Sequence, residues 1–136
     1  MVCGWEYTAA NNDCMSPQNA CKTIHHAIAL ASSGDTIRLA AAYTSISAPV
    51  FNLTIRGSNA QTTIINAGAA NTVVTIRNSA VRVSLANMTI RNGVSNLGGG
   101  INNGGILTIT HSANSGNNAC NEGGGVYNAG TLMISP

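Results

Sequence analysis

VVTIRNSA (73–80), GGGINNGG (98–105) and GGGVYNAG (123–130) stand 25 residues apart, and their side chains repeat in phase. Ile76, Ile101 and Val126 share one position, and Asn78, Asn103 and Asn128 share another. Ser79, Gly104 and Ala129 follow. The last two windows extend into a longer match of Gly98–Ile109 with Gly123–Ile134, including Leu107/Leu132 and Ile109/Ile134. Self-similarity at a fixed period of this size marks a stacked-repeat architecture, in which each unit buries its apolar face only against its neighbours.

Working outward, the chain from Asp35 onward is a series of short β-type runs. They are DTIRLA (35–40), NLTIRG (52–57), TTIIN (62–66), TVVTIRN (72–78), VRVSLAN (81–87), MTIRNG (88–93), ILTIT (106–110) and TLMIS (131–135). Side chains in such runs alternate inward and outward, and Asn, Gly or Ser ends most of them. Thr63-Ile64-Ile65 matches Met88-Thr89-Ile90 at the same spacing. Each period therefore holds about three strands, which is the rung of a parallel β-helix, with Ile, Val and Leu stacked in interior columns. The expected fold is all-β: a right-handed parallel β-helix of about four rungs, right-handedness following from the general rule for parallel crossovers. The triple glycines suit close backbone stacking or a conformation closed to side chains. Ser112–Glu122 reads as a loop bulging from its rung, with His111 at its base and Cys120 near its end.

One helical signal precedes the strands. In KTIHHAIALAS (22–32), Ile24, Ala27, Ile28 and Ala31 recur at i, i+3, i+4 and i+7, with Thr23 as N-cap and Gly34 as the residue after the C-cap. The pattern predicts about three turns covering the open end of the solenoid. The chain thus divides into an N-terminal segment with its capping helix (1–34) and the rungs (35–136). No matching cap is legible at the other end, so association of copies through exposed strand edges is expected.

Composition narrows the function classes. Of 136 residues, 7% are charged and 4% aromatic, against 18 Asn, 13 Thr, 12 Ser and 15 Gly, so solubility rests on neutral hydrogen-bonding groups. Arg38, Arg56, Arg77, Arg82, Arg91 and Lys22 are scattered along the sequence, which argues against a nucleic-acid surface. No apolar run is long enough for a membrane-spanning helix. Cys14 and Cys21 bracket a turn, and a disulfide there suits an oxidising compartment. Four cysteines allow three pairings, and Cys3 and Cys120 stay unassigned. The start at Met1-Val2-Cys3-Gly4-Trp5 and the finish within a repeat suggest a piece of a longer secreted protein.

Asn78, Asn103 and Asn128 read as a structural ladder of stacked amides. Their neighbours Arg77, Asn102 and Tyr127 form a second column of opposite side-chain direction, suited to gripping a sugar chain. Glycoside hydrolysis needs two carboxylates about 5–10 Å apart. The acids are Glu6, Asp13, Asp35 and Glu122, and no two share a column. The catalytic candidates are therefore Glu122 and His111. His25 and His26 are adjacent rather than i, i+4, so no metal site and no cofactor are expected. Thr75 falls opposite Gly100 and Gly125, Thr108 opposite Met133 and Thr89 opposite Ile64, so the 25-residue register shows no threonine rank of the kind that binds ice.

The order of these motifs resembles a family of secreted bacterial right-handed parallel β-helix repeat proteins of the polymorphic outer-membrane, adhesin-like and pectate-lyase-like kinds. The carriers are the C-x6-C segment, CKTIHHAIALASSGDTIRLAAA (21–42), LTIRGSNAQTTIINAG (53–68), MTIRNG (88–93) and the two GGG-[IV]-x-N-x-G-x-L-x-I rungs. The resemblance covers residues 12–136. Ala40-Ala41-Ala42-Tyr43, where relatives carry Gly before Tyr, and the long Ser45–Phe51 segment depart from it and point to an irregular first rung. It implies secretion or cell-surface exposure and contact with polysaccharide, and it transfers no catalytic residue. The leading expectation is a non-catalytic extracellular scaffold or adhesion module that binds glycans. The alternative is a carbohydrate-active or other hydrolase or lyase with its site in the 111–127 region.

Overall fold

The computed structural model describes residues 2–3, 13–16, 19–40, 45–47 and 51–136, in which every strand pairing is parallel. The chain opens with β1 (Val2–Cys3), α1 (Ile24–Leu30), β2 (Thr36–Leu39) and β3 (Ile46–Ser47). One coil then holds β4 (Leu53–Gly57), β5 (Ile64–Asn66) and β6 (Val74–Ile76). The next holds β7 (Arg82–Ala86), β8 (Thr89–Arg91), β9 (Val94–Leu97) and β10 (Ile101–Asn103). The last holds β11 (Ile106–Thr110), β12 (Ala113–Ser115), β13 (Asn118–Glu122) and β14 (Val126–Asn128), and β15 (Thr131–Ser135) follows. Equivalent strands stack into a six-stranded sheet (β1-β2-β4-β7-β11-β15), a four-stranded sheet (β3-β6-β10-β14), a three-stranded sheet (β5-β8-β12) and a pair (β9-β13).

The result is a parallel β-solenoid of about three turns. The expectation of about four rungs overcounts: among the described residues, β2 and β3 precede β4 with no strand equivalent to β5. All eight sequence-read runs contain a strand. Ala41–Tyr43, within the first departure from the family pattern, lie outside the described residues, as do residues 48–50 of the second and Glu6.

The interior is built from columns. In β4, Leu53, Ile55 and Gly57 are buried while Arg56 points out, as period-two alternation requires. Ile37, Ile55, Leu85, Ile109 and Ile134 are successive register partners, and so are Leu53, Val83, Leu107 and Leu132. All but the members on β15 are buried. Each buried Ile or Leu contributes roughly 1.5–3 kcal/mol from lost water contact.

Helix α1 is seven residues, shorter than the three turns expected. Thr23 caps it as read, its hydroxyl accepting from the His26 N–H at 3.1 Å. The chain leaves it extended at Ala31, so Gly34, at φ +89°, shapes a later turn and not the helix end. Ile24 and Ala27 are buried in the common core, and the helix contacts β1 and β3, the first strands of two sheets. The Cys14–Cys21 disulfide joins the same core and ties the segment before α1 to it.

Both readings of the triple glycines hold. Gly98 and Gly123 open their triplets at φ +63° and +67°, the left-handed region that disfavours side chains. A Cβ at Gly99 would lie 2.1 Å from the Asn118 carbonyl, so close stacking fixes the second position of the first triplet.

The Ser112–Glu122 expectation is corrected. This stretch is not a bulging loop: it supplies β12 and β13, paired with β8 and β9. Its polar residues hide the strands from a hydrophobicity reading, because both strands are largely exposed and take their pairing from the preceding coil. The Asn117 side chain crosses between coils, donating to the Ile90 carbonyl and accepting from the Gly93 N–H.

Candidate functional site: a polar groove on the four-stranded sheet

The register within the four-stranded sheet decides which polar residues meet. Ile101 pairs with Val126 as the repeat predicts, but its other partner is Val74 and not Ile76. The slip has a local cause. Five residues, 77–81, separate β6 from β7, whereas Gly104 and Gly105 alone separate β10 from β11. The extra residues form a turn in which the Asn78 Oδ1 accepts from the Ala80 N–H at 2.9 Å.

Asn78 therefore stands outside the ladder, which consists of Asn103 and Asn128. Buried Asn103 donates from Nδ2 to the Asn128 Oδ1 at 2.7 Å and to the Thr131 carbonyl at 3.0 Å, and its Oδ1 accepts from the Gly105 N–H at 3.0 Å. Asn128 is exposed and donates to the Gly130 carbonyl. The ladder stitches adjacent coils where the chain turns from one sheet to the next.

The same slip reshapes the second column. Asn102 and Tyr127 are partners, but the next members are Thr75 and Ser47, not Arg77. Ser47, Thr75, Asn102 and Tyr127 thus form an outward row across four parallel strands, spaced about 4.8 Å apart. Arg77, two residues beyond Thr75, lies beside the row. A groove of about 560 Å³ covers this face, lined by Ser47, Asn71, Thr75, Arg77, Ser95 and Asn102 among others. Its polar lining is hydroxyl, amide and one guanidinium, with no carboxylate, beside Ile46 and Ile76. The Asn102 amide is held by a long bond from Nδ2 to the Leu97 carbonyl, at 3.5 Å. Tyr127 continues the row beyond the groove. Sequence reasoning missed Ser47, Asn71, Thr75 and Ser95, since a uniform 25-residue phase sets Thr75 against glycine.

The catalytic candidates lie apart from the groove. His111 follows β11 on the six-stranded sheet, exposed at φ +46°, and its N–H donates to the Ser135 carbonyl at 3.3 Å. Glu122 ends β13, exposed, opposite Leu97. They stand on different sheets. Cys120 is a free, exposed thiol on β13, not in a loop. Among the described residues, Cys14, Cys21 and His26 bring potential metal-ligand atoms within 4.8 Å of one another, but the two sulfurs are bonded as a disulfide and offer no thiolate.

The six-stranded sheet corrects one further reading. Thr36, Thr54, Ser84 and Thr108 are successive partners, so a hydroxyl rank does form on its outer face. It ends at Met133. The neighbouring rank is Arg38, Arg56, Ala86, Thr110 and Ser135, so the face carries a single hydroxyl rank.

Comparison of the chain with protein-family models, with curated proteins and with solved structures gave no match.

Proposed function

We propose that this chain is a non-catalytic extracellular scaffold or adhesion module that holds a glycan along the groove of its four-stranded sheet. The observation that carries the reading is the row Ser47–Thr75–Asn102–Tyr127, four hydrogen-bonding side chains on a rigid parallel frame beside Arg77. A sugar chain presents hydroxyls along an extended surface, and a flat array of hydroxyls and amides backed by a phenol matches that chemistry. Rigid strands keep the ordering cost of binding low. The motif resemblance to secreted bacterial β-helix repeat proteins supports the same reading, and the Cys14–Cys21 disulfide suits an oxidising compartment. The described carboxylates, Asp13, Asp35 and Glu122, are dispersed and none lines the groove, which favours binding over hydrolysis.

A glycan array followed by calorimetry on the best ligand tests the proposal, run beside a polysaccharide and ester hydrolysis screen. Binding without turnover is expected, with Asn102→Ala and Arg77→Ala each weakening it roughly tenfold, the scale of one lost hydrogen bond to a charged or well-placed polar group. Turnover abolished by Glu122→Gln or His111→Ala would replace this reading with the hydrolase. Absence of both binding and turnover would reject both.

A further inference from the structure

Two of the arginines that look scattered in sequence meet in space. Arg38 on β2 and Arg56 on β4 are direct register partners, both exposed on the outer face of the six-stranded sheet. Strand spacing sets their backbones about 4.8 Å apart, with both side chains leaving the sheet on the same side. Like charges directly opposite each other destabilise a sheet. The next member of the rank is Ala86, too short to fill the space or screen the charges.

A cavity of about 390 Å³ lies over the pair, lined by Arg38, Leu39, Arg56, Gly57, Ser58 and Asn87. Its wall is built closely: a Cβ on Gly57 would come within 2.2 Å of the Asn87 carbonyl, so only glycine lets that turn approach. Asn87 itself sits at φ +58°. Its carboxamide makes no hydrogen bond within the described residues, so it adds a donor to the two guanidinium forks. No described carboxylate lines the cavity. Asp35 accepts from the Ser32 N–H at 2.8 Å and Asp13 from the Met15 N–H at 2.9 Å, each committed to its own turn.

We infer that Arg38 and Arg56 form a clamp for a phosphate or sulfate group, on a face separate from the proposed glycan groove. Tetrahedral oxyanions offer several oxygens, and guanidinium forks bind such groups bidentately, which lysine does not reproduce. Binding removes the repulsion within the pair. The clamp is exposed, so its affinity falls with ionic strength.

The test titrates inorganic phosphate and inorganic sulfate into the full chain at constant ionic strength, with chloride as control. Arginine Nε–Hε resonances and the thermal midpoint are the readouts. Two resonances are expected to shift saturably, with a rise in midpoint, while those of Arg77, Arg82 and Arg91 stay in place. Arg38→Gln and Arg56→Gln should each weaken binding roughly tenfold or more. Arg56→Lys should also weaken it, and serves as the folded control if a Gln variant is unstable. In low salt without the anion, the Gln variants should keep or raise the midpoint, which a purely structural arginine would not allow. Asn102→Ala should leave the phosphate response unchanged, separating this site from the groove. Dextran sulfate beside neutral dextran distinguishes a group carried on a chain from a free ion. If all five arginines shift alike, if Arg38→Gln/Arg56→Gln retains the full response, or if neither ion nor dextran sulfate binds, the clamp is wrong.

Discussion

Ile55 and Ile134 occupy the same inward column, on strands of the same sheet, and their accessibilities are 0% and 66%. Ile55 lies between Thr54 and Arg56, and Ile134 between Met133 and Ser135. What separates them is whether another coil lies on each side. Ile55 is sandwiched between Ile37 and Leu85, whereas β15 pairs on one side only, with β11. At the opposite end α1 lies against β1 and β3, and Ile37 is at 0%. In a solenoid a residue's contribution belongs to the interface between coils and not to its own strand.

The largest expected effect comes from Ile55→Ala, which should cost about 2–5 kcal/mol by chemical denaturation, against less than about 1 kcal/mol for Ile134→Ala. Equal losses would place the contribution in the strand and not in the interface between coils. Asn103 and Asn128 repeat the contrast with polar groups. Asn103→Ala leaves the buried Gly105 N–H and the Thr131 carbonyl without their partner and should cost about 2–3 kcal/mol. Asn128→Ala should cost under about 1 kcal/mol, since that side chain is exposed. Reducing the Cys14–Cys21 disulfide, or replacing both residues with Ser, should cost about 2 kcal/mol, because the loop it closes is short. The effect should be read at α1 as faster amide exchange in the helix than in β7. Asn78→Ala should change stability by about 0.5 kcal/mol or less, as its bond to Ala80 lies in an exposed turn. A loss matching that of Asn103→Ala would restore Asn78 to the ladder.

Much of the architecture was legible in the chain. Alternating Ile, Val and Leu located eight strands, and the Gly98–Ile109 repeat located the stacking direction, because both patterns follow from backbone geometry. The strands ANS and NACNE were not legible: their pairing is made by the coil beneath, and their side chains carry no apolar alternation. The groove was half legible. Asn102 and Tyr127 were matched by phase, but Thr75 replaced Arg77 in their row because residues 77–81 lengthen a single turn. A uniform period has no way to register a local insertion.

Short parallel strands stacked around columns of aliphatic side chains follow from the order of residues alone, since period-two alternation within a fixed repeat admits little else. Tertiary structure alone decided which outward residues share a rank. Coils of unequal length brought Arg38 beside Arg56, and Thr75 beside Asn102, because hydrogen-bond register between neighbouring strands, and not separation along the chain, sets what a side chain meets.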